Sequence, residues 1–165
     1  MKKSEFPSKI KFGTYLPQRQ GMSYIKMSDC AQSLELFITE YFSDSVRFSM
    51  TGDFHSGDAV YIDGEYVAYI FRCVLSAFFG GEISVKLSSH GDSFAVSFSV
   101  AGDIEKVDTA ALERLADVAE LAGFTMSLCA RTVSFSTRIV RGKLVISVPT
   151  RVAFYDVLTR VFFEN

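Results

Sequence analysis

Tryptophan is absent from these 165 residues, and cysteine is scarce. The three cysteines, Cys30, Cys73 and Cys129, are odd in number, widely spaced and set in apolar periodic segments. That pattern argues against a disulfide framework. It is expected of buried thiols in a reducing compartment, which implies a cytoplasmic protein. No charge of one sign dominates either. A net charge of -2 gives no global attraction to nucleic acid or to a membrane surface. Long apolar runs are missing, since stretches such as residues 66–71 are far too short to cross a bilayer. Lys2 and Lys3 lead into no apolar segment of the signal-peptide kind. Also missing are a P-loop, a dinucleotide fingerprint, zinc-ligand spacing and any Ser-His-Asp or Cys-His arrangement with readable spacing. There is no internal repeat and no low-complexity tract. What remains is 48% hydrophobic content with 16 Phe, enough for one domain with a sizeable core.

The most strongly patterned stretch is residues 63–81. Val67, Ile70, Phe71, Val74, Leu75 and Phe78 recur at i, i+3, i+4, i+7, i+8 and i+11, one face of an α-helix. Asp63 stands at the N-cap position, Glu65 in the first turn, and Gly80 with Gly81 at the end. A second stripe of Tyr66, Tyr69, Cys73 and Ala77 runs beside the first. Only Ala68, Arg72 and Ser76 are left to face water, so this helix is expected to be central and covered twice.

Around it the pattern changes in order. Residues 1–21 hold Pro7, Gly13, Pro17 and Gly21 with no apolar period and read as an irregular leader. Residues 22–165 read as one domain. Residues 22–27 suit an edge strand, and Ser28 with Asp29 suits the cap of a helix striped by Leu34, Phe37, Ile38, Tyr41 and Phe42. A strand follows with Val46, Phe48 and Met50 inward, then a polar loop and a short strand at 59–62. Past Gly81 the period becomes two. Ile83, Val85 and Leu87, then Phe94, Val96, Phe98 and Val100, alternate with polar residues about a turn at His90-Gly91-Asp92. Asp108 or Thr109 caps a helix carrying Leu112, Leu115, Ala119 and Ala122, with Gly123 at its C′ position. Strands are expected at 125–129, 133–140 and 143–149, with Arg141-Gly142 as a tight turn. Phe154, Leu158, Val161 and Phe162 then mark an added C-terminal helix. The order predicts an α+β two-layer sandwich, with helices on one face of a mixed, largely antiparallel sheet.

That order resembles the ATP-binding domain of sensor histidine kinases, in the GHKL superfamily shared with gyrase. A capped helix, two strands ending in an Asp (here Asp63) and a helix with the apolar spacing of the N box follow one another as in the family. The resemblance covers roughly residues 22–149. It implies which positions would meet a nucleotide. The N-box Asn positions fall on Cys73 and Ala77, and the adenine-binding Asp position on Gly102. The next Gly of that box falls on Ile104, and the glycines of the second box on Thr109 and Ala111. These are degenerate positions, and too few residues separate Gly102 from Thr109 for the family's long lid. No catalytic residue, metal or cofactor is therefore expected, and ATP with Mg²⁺ belongs only to an alternative.

Other candidates read more plainly. His55 with Asp53 and Asp58 carries ligand-type groups but reads as a solvated loop, and His90 as a turn residue. Arg131, Arg138, Arg141, Lys143 and Arg151 form a basic stretch without an acid. Asp103, Glu105, Asp108, Glu113, Asp117 and Glu120 are its acidic counterpart. The expectation is a non-catalytic, histidine-kinase-like domain that binds a protein partner, with a second copy among the candidates. The alternatives are a divergent ATP-binding kinase or ATPase using Asp103, and an unrelated structural α+β domain.

Overall fold

A computed structural model describes residues 21–55, 57–102, 109–141 and 153–163. Residues 1–20 of the expected leader at 1–21, the strand at 143–149 and Gly142 lie outside them. So do Asp103, Ile104, Glu105, Asp108, Lys143 and Arg151.

The described elements are β1 (Ser23–Lys26), α1 (Met27–Phe42), β2 (Val46–Thr51), β3 (Ala59–Ile62), α2 (Gly64–Ala77), β4 (Glu82–His90) and β5 (Ser93–Ala101). They continue with α3 (Thr109–Glu113), α4 (Leu115–Ala122), β6 (Thr125–Cys129), β7 (Thr132–Val140) and α5 (Phe154–Phe163). The sheet runs β1-β3-β7-β5-β4-β2, and β6 also pairs with β7. β2 lies parallel to β4, and the other pairings are antiparallel. This is the α+β arrangement with a mixed, largely antiparallel sheet that the sequence predicts.

The period of two explains which face is covered. Ile83, Val85, Leu87, Phe94, Val96, Phe98, Val100, Val133 and Phe135 are all buried. Their outward neighbours are hydroxyl-rich and pair in rows across the strands, as with Lys86, Ser97, Ser134 and Ser127. The Ser97 and Ser134 hydroxyls are 2.8 Å apart. Against the inner face lies α2. Its Phe71 ring sits 5.2 Å from Phe98 and 6.2 Å from Phe135, and burial of these rings dominates the local packing energy.

α5 lies over α1 and α2 on the side away from the sheet. Phe154, Leu158, Val161 and Phe162 are buried there, with Phe162 edge-on to Phe37 at 4.6 Å. Tyr155 donates a hydrogen bond to Glu40 of α1, which is the main cause of a phenol held well above its usual range. The closing helix thus covers its own chain.

Several local expectations are corrected. Ala68 and Arg72 do not face water; they are 0% and 3% exposed because α5 covers them. α1 starts one residue before Ser28, and no side chain caps it. Its first amide donates to Asp58 O at 2.9 Å instead, while Asp29 accepts from Ser33 Oγ. Met50 is exposed, since β2 is a sheet edge and its far end runs past the helical cover. Cys129 is exposed on the outward row of β6, so only Cys30 and Cys73 are buried thiols. Burial, and then the neighbouring Asp29 carboxylate, pushes Cys30 up to about 12. The helix expected through Ala122 is broken at Arg114 into α3 and α4. Gly123 does end α4, with φ of 100°. A Cβ there would lie 2.6 Å from Tyr61 O, so close approach to β3 as well as backbone sign demands glycine.

Candidate functional site

α2 is held in place by polar contacts at its start and along one side. Asp63 is fully buried, and its carboxylate accepts the amides of Glu65 (3.1 Å) and Tyr66 (3.4 Å), as an N-cap should. It also accepts the Gly21 amide at 3.1 Å, while its own amide donates to Ala122 O at 2.9 Å. The start of α2, the end of α4 and the entry to β1 are therefore tied at one residue. Glu65, only 6% exposed, meets both terminal nitrogens of Arg160 on α5. Two turns further, Arg72 Nη1 donates to Val161 O at 3.0 Å.

Tyr69 and Cys73 lie one turn apart on α2, 5% and 0% exposed, with their side chains hydrogen-bonded. Burial first, then the Cys73 neighbour, pushes the Tyr69 phenol far above its usual range. The Arg72 guanidinium carbon lies 5.6 Å from the Tyr69 ring centre, a cation–π contact that acts in the opposite direction on the phenol.

The positions singled out in the sequence now have places. Cys73 is enclosed in the core, and Ala77 is the half-buried last residue of α2. Gly102 is exposed just beyond β5, with φ of 90°. Its carbonyl accepts from Arg131 Nη1 at 2.9 Å. Thr109 is the exposed first residue of α3, and Ala111 is 2% exposed. Ile104 lies outside the described residues. Thus α2 and α3, which pack together, hold Cys73, Ala77, Thr109 and Ala111, while Gly102 lies at the end of a strand. Cys73 and Ala111 are in space already filled by side chains.

His55 and Asp53 are 3.8 Å apart and largely exposed, but Asp58 turns instead to Arg141 at 3.6 Å. Among the described residues no group of three His, Cys, Asp or Glu side chains is placed to hold a metal. His90 ends β4 beside the turn. Arg141 also pairs with Asp92 at 3.1 Å, so the basic stretch is partly neutralised. No described helix is long and apolar enough to cross a membrane.

The sequence reading missed Glu65 and Arg72 as buried polar residues. Once α5 covers them, each of these charges needs a partner.

No family model matches the chain, and no curated protein matches it. Solved structures do resemble it. The catalytic domain of histidine kinase ThkA is 10% identical, over 74% of this chain and 98% of that one, with a TM-score of 0.47. The cytoplasmic segment of histidine kinase QseC is 15% identical over 84% and 89%, TM-score 0.47. A histidine kinase from Burkholderia phymatum is 12% identical over 74% and 72%, TM-score 0.41. All three are histidine kinases.

Proposed function

We propose that this chain is a non-catalytic, histidine-kinase-like ATPase domain that works through protein contacts in bacterial-type signalling. One observation carries the reading: of the positions that would hold the nucleotide, Cys73 and Ala111 are sealed in the core, and Ala77 and Gly102 carry no side-chain oxygen. Cys73 and Ala111 are 0% and 2% exposed. Ala77 has no oxygen for Mg²⁺. Gly102 has no carboxylate for adenine, and its φ of 90° makes an Asp there strained. A triphosphate buried without cations and donors costs several kcal/mol for each unpaired charge. Nothing in this set offsets that cost.

Calorimetry with millimolar Mg-ATP tests the reading and should show no saturable heat. Ala77→Asn alone should not create binding, because the adenine acceptor would still be missing. A dissociation constant below about 100 μM, roughly 5.5 kcal/mol, would overturn the proposal and favour a divergent ATP-binding domain. The partner under this reading is a protein, with a second copy among the candidates.

A further inference from the structure

We propose that the face of α1 and α2 beneath α5 is a docking site for a preformed amphipathic helix of a partner protein, with α5 as its tethered competitor. The inference rests on the reading that this chain works through protein contacts. It does not need nucleotide binding to be lost, so the titration with Mg-ATP and the test below fail separately.

α5 shows what this face accepts. Phe162 stands edge-on to Phe37 at 4.6 Å, and Phe163 lies 4.9 Å from Tyr41, so α1 supplies an aromatic wall. α2 supplies two charges in that apolar surround. Glu65, 6% exposed, takes the Arg160 guanidinium, and Arg72, 3% exposed, donates to Val161 O at 3.0 Å. A guanidinium aimed at a last-turn carbonyl recognises a helix C-terminus, and so fixes the direction in which the helix lies. The seat therefore selects apolar side chains at i, i+4, i+7 and i+8, as Phe154, Leu158, Val161 and Phe162 stand. It also selects a cation at i+6, the place of Arg160.

Three features make α5 replaceable. It rests on the side of α2 away from Phe71, whose ring packs on Phe98 and Phe135, so it can lift without opening the sheet-side core. Buried charges gain little beyond their desolvation cost, and Glu65 and Arg72 regain water when uncovered. They confer selectivity without a tight hold. The ten residues of α5 also fall short of the about 12–15 at which an isolated helix is even marginal in water, so α5 is ordered anew each time it docks. A helix held in its partner's own fold does not meet that cost. It can displace α5 despite a tethered effective concentration on the order of mM. The α5 of a second copy meets the same cost without the tether, which argues against it as the occupant.

The probe is a fluorescent peptide of residues 152–165, stapled into a helix between positions 156 and 159 and read by anisotropy against the whole chain. Saturable binding to R160M is expected, at least fivefold tighter than to the unaltered chain. In R160M the chain's own α5 loses its cation while the seat keeps Glu65 and Arg72, and the open fraction sets the apparent affinity. Y155F, which loses the bond to Glu40, should tighten binding at least twofold and serves alone if R160M does not fold. A probe carrying R160E should bind either variant at least tenfold more weakly than the unaltered probe. Absence of saturable binding to the folded variants overturns the proposal. So does equal affinity for the variants and the unaltered chain, which puts the probe elsewhere, and so does equal affinity of the two probes. A dimer of the unaltered chain that the probe dissociates would make a second copy the occupant and overturn the choice of partner.

Discussion

The side of α2 that meets the sheet and the side that meets α5 are both dry, but they are dry for different reasons. Toward the sheet, Val67, Phe71, Val74 and Phe78 present only apolar atoms, and their removal from water is itself the driving force. Toward α5, Glu65 and Arg72 sit beside Ala68, all at or below 6% exposure. Burial of those two charges opposes folding unless each finds its partner. α5 supplies both partners from its last turn. Val161 O is one of the carbonyls that a helix leaves without an intrahelical donor, and a guanidinium there also meets the negative end of the helix dipole. Arg160 supplies the cation for Glu65. The first side needs only shape. The second needs particular atoms at particular places, and so fixes where α5 must lie.

The largest effect should come from breaking the apolar side. Phe71→Ala removes a ring packed among Phe98 and Phe135 and should cost about 3–5 kcal/mol in chemical denaturation. A loss below about 1 kcal/mol would show that the sheet side does not carry the core. On the other side, Arg72→Ala should cost about 2–3 kcal/mol, because it strands the Val161 carbonyl in a covered site and removes a packed stem. Hydrogen exchange should locate the damage in α5, with faster exchange there than in β4 and β5. Equal acceleration in helix and strands would mean that Arg72 does not serve α5 specifically.

These two sides also mark what the sequence could reveal. Periodicity reports apolar faces, so the sheet-facing stripe, the β4–β5 hairpin and the buried set of α5 were legible residue by residue. Asp63 was legible as a cap because its chemistry is local. Arg72 was not, because a lone charge on a helix reads as the solvent side, and its acceptor is a main-chain oxygen 89 residues away. Asp29 failed for the same reason in reverse. It has the right residue type, but the Asp58 carbonyl, brought near by the pairing of β1 with β3, already takes the first amide of α1. The candidate site was legible only as a set of positions. That Cys73 is sealed while Gly102 is open depends on how α3 and α4 pack, which no local pattern encodes.

The smallest expected effect sharpens the comparison by splitting one ion pair. Glu65 and Arg160 are unequal partners: the carboxylate side chain is 8% exposed and the guanidinium side chain 46%. Removing the carboxylate leaves a cation that can turn into water, and a neutral amide keeps the side-chain volume. Glu65→Gln should therefore cost less than about 1 kcal/mol, as exposed pairs do. Removing the cation instead leaves a covered carboxylate whose partner was supplied by α5. Arg160→Met should cost about 1–2 kcal/mol, the penalty of a stranded buried acceptor less what the methionine packing returns. The order of the two variants is the prediction, and it is read by urea denaturation of each beside the unaltered chain. If Glu65→Gln proves the more damaging, Glu65 is held chiefly by contacts other than Arg160. The α5 side of α2 would then owe its position to Arg72 alone.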